Sequence, residues 1–209
     1  MKIFALSGLG ADERVFKFLE LEHELIPVLW LEPSSKESII DYSKRLIVEY
    51  GIDKEEHFGI LGLSFGGLVA VEMSKILNPK FTVLISSVER KNELRSFFKL
   101  PGSVFFLKLL PKWMFMPPKP IARFLFSAEN KELLYSILDD TNLTFAKWAV
   151  LELVSWKNTN KLENLIKIGG SKDRILPPKG KNGIIIDGGG HFMIVDKANQ
   201  VSKIINREI

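Results

Sequence analysis

The sequence predicts an α/β fold: a doubly wound, mostly parallel six-stranded sheet with a helical lid insertion. Six short runs are apolar nearly throughout, which is the pattern of strands covered on both faces rather than on one. Helix-spaced apolar patterns separate most of them, and strands alternating with helices pair in parallel through right-handed crossovers. At 209 residues with 46% hydrophobic content, the chain can bury one sizeable core.

The elements follow in order. Residues 2–7 (KIFALS) read as the first strand. Residues 25–31 (LIPVLWL) read as the second, and Pro27, which has no ladder donor, suits a sheet edge. Ile39, Ile40, Leu46 and Ile47 recur at helical spacing within 35–50. Residues 58–63 form the third strand and 67–77 the helix after it. The fourth strand is 81–86 (FTVLIS), the fifth 165–169 (LIKIG) and the sixth 183–187 (GIIID). A last helix covers 194–206.

The rhythm breaks between residues 89 and 162, so the chain divides into a core of 1–88 and 163–209 and an insertion of 89–162. A structureless connection of that length is implausible, and patterns such as KELLYSILDD and FAKWAVLELVSW are helical. Phe97, Phe98, Phe105, Phe106, Trp113, Met114, Phe115 and Met116 make it rich in aromatics and Met. Three readings fit: extra core packing, a lid over a substrate pocket, or a membrane-surface element with Lys99, Lys108 and Lys112 on a polar rim. The lid is the expectation.

Lys and Arg number 29 against 25 Asp and Glu, a net charge of +4. The charges are scattered with no basic stripe carrying interleaved aromatics, which argues against nucleic-acid binding. The chain has no Cys, which excludes disulfides, thiolate catalysis and Cys-based metal sites. The start MKIFALSGLGADER has an apolar run of only residues 3–6 before charged residues. A secretory signal needs a longer one, so a buried first strand in a cytoplasmic protein is expected. No run approaches the 18 or so apolar residues that span a bilayer.

The stretch GLSFGG at 62–67 lies between a buried strand and a buried helix. A turn sharp enough to lift Ser64 above the sheet brings the positions two before and two after it into close quarters, where side chains would clash. Glycine is the physical choice there, and Ser64 would take strained backbone angles. Amides at the start of the next helix would face an oxyanion forming beside it. A serine hydroxyl needs a base in hydrogen-bond reach, and the base an orienting acid. Of three histidines, His23 and His57 read as surface residues, His57 at the opposite end of its strand. His191, after the sixth strand in GIIIDGGGHF, emerges at the same edge as Ser64 and is the candidate base. Asp173, after the fifth strand in GGSKDRILP, is favoured as the acid over Glu89, which follows the fourth. Asp187 is expected to end its own strand and point elsewhere.

These residues resemble the α/β-hydrolase superfamily. GLSFG matches its nucleophile elbow, GSKDRILP its acid loop and GGGHF its histidine loop, in the family's order of Ser, Asp, His. SGLGADERVF is similar to its oxyanion loop, so the resemblance covers nearly the whole chain outside the insertion. It implies an oxyanion hole made by the backbone amides of Leu9 and Phe65. Many relatives have His-Gly where this chain has Ser7-Gly8. The sequence also begins at the strand bearing the oxyanion loop, like a trimmed member lacking the leading β-hairpin. The implied activity is hydrolysis of a small carboxylic ester or related acyl compound, with an apolar acyl or alcohol group and neither organic cofactor nor metal. Two alternatives stay open. One is a non-hydrolytic triad enzyme such as the lyase of menaquinone synthesis, whose carboxylated substrate would need arginines among Arg14, Arg90, Arg95, Arg123 and Arg174. The other is a non-catalytic binding protein on this fold.

Overall fold

The computed structural model describes residues 1–99, 103–179 and 183–209; the side chains of Phe97, Lys99 and Ser103 lie outside that description. Six strands, β1 (Lys2–Leu6), β2 (Glu24–Val28), β3 (Phe58–Leu63), β4 (Phe81–Ile85), β5 (Leu165–Gly170) and β6 (Ile184–Ile186), form one sheet in the order β2-β1-β3-β4-β5-β6. Every neighbouring pair is parallel. The alternation of apolar runs and helices thus gives the expected doubly wound sheet, and Pro27 sits on an edge strand, where its missing N–H costs no ladder bond.

Strand burial explains the uniform hydrophobicity. Ile3, Ala5, Leu61, Leu63, Val83 and Ile85 enter one core, while Phe4, Leu6, Ile60 and Leu84 enter the other. The period of two still operates, but both faces are apolar. The helices α1 (Ile39–Glu49) and α2 (Phe65–Leu77) cover one face; α7 (Met193–Asp196) and α8 (Ala198–Glu208) cover the other. Each fully buried aliphatic side chain in these layers contributes roughly 1.5–3 kcal/mol.

Three boundaries differ from the sequence expectation, each for a local reason. The second strand stops at Val28 because hydroxyls take over the backbone beyond it: Tyr50 Oη accepts from Leu29 N at 2.7 Å, and Tyr42 Oη accepts from Leu31 N and donates to Leu31 O, both at 2.9 Å. The first helix starts at Ile39 because Ser38, in an extended conformation, caps it by accepting from Asp41 N. The last helix is two, interrupted at Lys197, whose φ of −126° and ψ of 29° are not helical.

Between β4 and β5 lie α3 (Ser103–Leu109), α4 (Lys119–Phe126), α5 (Lys131–Asp140) and α6 (Leu143–Ser155), with short 3-10 turns before and among them. They do not form a core of their own. Phe145, Ala149 and Leu153 of α6 join the α1/α2 side, and Leu134, Ile137 and Leu138 of α5 join the α7/α8 side. Among the described residues no helix is long and apolar enough to cross a membrane.

Candidate active site

Parallel strands deliver every loop that follows a strand to one edge, and three of the side chains singled out from the sequence meet there. Ser64 ends β3 and caps α2, Asp173 follows β5 and His191 follows β6. Ser64 has φ 51° and ψ −119°, a conformation that non-glycine residues hold only when their surroundings enforce it. Ser64 N donates to Ile85 O at 3.0 Å, while Ser64 O accepts from Gly67 N at 3.0 Å and from Ser87 Oγ at 2.6 Å.

The glycines of GLSFGG are required by contact. A Cβ on Gly62 would lie 2.5 Å from Gly67 Cα and 2.6 Å from Gly66 O; one on Gly66 would lie 2.1 Å from Ser7 O. The first is the clash expected across the turn. The second is with the end of β1, so Gly66 also lets the 7–9 loop approach the serine. A Cβ on Gly8 would sit 3.0 Å from Ser64 Cβ. Ser7 fixes that loop by donating from its buried Oγ to Ala11 O at 3.0 Å.

His191 Nε2 is 2.8 Å from Ser64 Oγ, and His191 Nδ1 is 2.8 Å from Asp173 Oδ2. Asp173 Oδ1 accepts from Ile175 N and Leu176 N, both at 2.8 Å. His191 is 3% and Asp173 5% exposed. Burial pushes the Asp173 carboxyl up, but the neighbouring His191, the hydrogen bond between them and the two amides outweigh it and hold it below the ordinary carboxylate value. Phe126 packs edge-on against the imidazole, ring centroids 5.4 Å apart.

The other sequence candidates stand apart. Glu89 Oε1 accepts from Leu162 N at 2.7 Å and its other oxygen lies 3.6 Å from Arg90 Nε, so it braces the insertion rather than His191. Asp187 Oδ1 accepts from the Ser171 hydroxyl. His57 is exposed just before β3 and His23 is partly buried.

A cavity of about 700 Å³ opens on the serine. Leu9, Phe65, Ser64 and His191 line it, with Phe115, Met116, Leu125 and Phe126 from the insertion. Phe65 is the first residue of α2, so its amide has no intrahelical acceptor. The only residues with permanently charged side chains in the wall, among those described, are Arg95 and Arg174. Arg95 Nη1 donates to the Arg174 carbonyl, and the Arg174 guanidinium lies over the Phe124 ring at 4.1 Å and donates to Phe124 O at 2.7 Å. Of the five arginines named from sequence these two reach the cavity. Arg14 is held by Asp12 and Asp140, and Arg90 by Glu89 and Glu93. Ser87, which steadies the serine carbonyl, carried no signal in the sequence, being one of two adjacent serines after a strand.

No family model matches the chain, and no curated protein matches its sequence. Solved structures match over nearly its whole length. An esterase from Thermogutta terrifontis with malate bound is 14% identical, with a TM-score of 0.77 over 99% of this chain and 88% of that one. An esterase from Exiguobacterium antarcticum is 14% identical at a TM-score of 0.73, covering 98% and 90%. An enzyme described as degrading N-acyl homoserine lactones is 12% identical at 0.76, covering 100% and 93%. At such identities the likeness establishes the fold, and the fold is that of the α/β hydrolases.

Proposed function

We propose that this protein is a serine hydrolase acting on a small carboxylic ester or related acyl compound with a substantial apolar portion. The observation that carries the reading is the unbroken hydrogen-bonded chain from Ser64 through His191 to Asp173, opening on an apolar cavity. Pockets of this size and lining suit apolar ligands oriented by a few polar groups. That two of the structural neighbours are esterases points the same way.

In this mechanism Ser64 Oγ attacks the acyl carbon while His191 Nε2 takes its proton. Asp173 holds the imidazole with its proton on Nδ1 and stabilises the imidazolium. The amides of Leu9 and Phe65 receive the developing oxyanion, each such donor contributing about 10²–10³ in rate. His191 returns the proton to the leaving alcohol. Water, activated by the same base, then frees the acid from the acyl-enzyme. Residues 89–162 act as the lid, their Phe115, Met116, Leu125 and Phe126 forming the cavity's wall.

Replacing Ser64 with Ala is expected to lower turnover of short activated esters by roughly 10⁴ or more and to abolish labelling by a fluorophosphonate, with the far-ultraviolet circular dichroism unchanged. Full turnover by the folded variant would overturn the assignment.

Arg95 and Arg174 favour a second reading, in which the same triad performs a non-hydrolytic step on a carboxylated substrate. Mass spectrometry of enzyme quenched during turnover separates the two, because only the hydrolase accumulates an acyl group on Ser64.

A further inference from the structure

Residues 94–128 contain Arg95, Lys99, Lys108, Lys112, Lys119 and Arg123 and no Asp or Glu. The rest of the chain holds slightly more acidic than basic residues. The basic excess of the whole protein is therefore concentrated in this one segment. The same segment carries the densest set of exposed large apolar side chains. Phe106, Leu109 and Trp113 are 68%, 70% and 67% exposed, and Phe105, Ile121 and Phe124 are also more than half exposed.

The helix α3 shows why packing does not account for them. Its Val104 and Leu107 lie against the core, whereas Phe105, Phe106 and Leu109 face outward. A short helix that is apolar on both faces has an outer face built for something other than water. Lys119 is paired with Asp139 at 2.6 Å, and Lys112 Nζ donates to the Thr144 hydroxyl and keeps its charge. Lys108 and Arg123 form no ion pair among the described residues, although Lys108 lies near enough to Glu152 to favour its charged form.

We propose that this outer face of the insertion docks on an anionic lipid bilayer. A second copy of the chain would set basic charge against basic charge. A nucleic acid would answer the charge but offers no apolar phase for Leu109, Phe106 and Trp113. A bilayer with anionic headgroups satisfies both demands: Trp and Phe settle at headgroup depth, Leu reaches the acyl boundary, and Lys side chains extend to the phosphates. The inner residues of the same segment, Phe115, Met116, Leu125 and Phe126, wall the cavity, so the docked surface and the cavity are two sides of one thin layer. Docking does not depend on the hydrolase reading.

The test is co-sedimentation of the full chain with phosphatidylglycerol vesicles and with phosphatidylcholine vesicles, at low and high salt. The protein should bind the first, bind the second at least about tenfold more weakly, and be released by salt. A blue shift of tryptophan emission should accompany binding and be absent in Trp113→Phe, which still sediments. Reversing Lys108 and Lys112 to Glu should lower partitioning by on the order of tenfold or more, since each basic charge near an anionic surface is worth about fivefold. Converting Phe106, Leu109 and Trp113 together to Ser should do the same without lowering the unfolding temperature. No sedimentation with phosphatidylglycerol at low salt would overturn the proposal. So would equal binding to both vesicles, full binding by the charge-reversed variant, or retention of an acidic protein in place of vesicles. If either multiple variant fails to fold, the emission shift of the Trp113→Phe pair decides the question.

Discussion

The sheet and the insertion use hydrophobic residues in different ways. Along β1, Ile3 and Ala5 go to one core and Phe4 and Leu6 to the other, and all four are almost completely buried. Every apolar group there serves folding. In the insertion α5 and α6 follow the same rule, but α3 and α4 divide their apolar groups among core, cavity wall and outer surface. Similar composition thus fills the core in one region and is divided among core, cavity wall and solvent-exposed surface in the other.

The largest expected effect comes from the sheet edge. Asp173→Asn keeps an oxygen for the Ile175 and Leu176 amides but turns an amide donor toward His191 Nδ1. The imidazole is then held with its proton on Nε2, where it cannot accept one from Ser64. On the proposed mechanism kcat/KM should fall by about 10³–10⁴, read with an activated ester. Stability should follow the lowered Asp173 value. A carboxylate held below its ordinary pKa contributes stability that is fully present above the unfolded value of 3.8 and is lost as pH falls through the folded one. Urea midpoints of parent and variant should therefore converge as pH drops below 3.8. A constant gap down to the most acidic measurable pH would show that the His191 partnership is not what stabilises the carboxylate.

That edge was also the most legible part of the chain. GLSFGG announces a crowded turn because glycine solves a contact problem at Gly62 and Gly66, and the contacts are those that a sharp turn imposes. Asp173 and His191 were legible because parallel strands bring their exits together, so topology substituted for sequence distance. What stayed hidden depends on side-chain reach. Arg95 and Arg174 were two among five candidate arginines: Arg174 follows Asp173 in the loop after β5, but how far its side chain reaches was not encoded, and Arg95's place at the cavity follows from the path of residues 89–99, which no periodicity encodes. The end of β2 was hidden for a similar reason: the tyrosine hydroxyls that take its backbone come from α1 and the residue after it. In the insertion, helices were legible but the outward turn of Phe105, Phe106 and Leu109 was not, because a helix that is apolar all round gives no face to choose.

A second contrast concerns packing. Leu61, fully buried at the centre of β3, should cost about 2–5 kcal/mol when cut to Ala, the spread reflecting how far the cavity collapses. Urea unfolding measures it. A loss below about 1 kcal/mol would mean that the strand core is looser than its burial indicates. Asp196 of α7 tests the seam between the regions. Its carboxylate accepts from Glu129 N at 2.9 Å and Asn130 N at 3.0 Å, tying the start of α5 to the core. Burial raises its pKa against the effect of those two amides, so part of the anchor's gain is offset by desolvation. Asp196→Ala should cost about 1 kcal/mol, near the lower end for amides left without a partner, and should increase protease cleavage near residue 129 more than it shifts the global midpoint.

The smallest expected effect is the most diagnostic for the insertion. Phe106 is 68% exposed, and its ring meets Phe105 edge-on with centroids 5.7 Å apart. Truncation to Ser loses that one aromatic contact and little buried area, while it removes an apolar surface from water. The two nearly cancel, so the urea midpoint should correspond to a change within about 0.5 kcal/mol, as for other surface sites. Solubility should rise at the same time. If Phe106→Ser instead lost as much as a core truncation, the outer face of α3 would be part of the folded core, and the division between a sheet that spends its apolar groups on stability and an insertion that presents them outward would fail at the residue that states it most plainly.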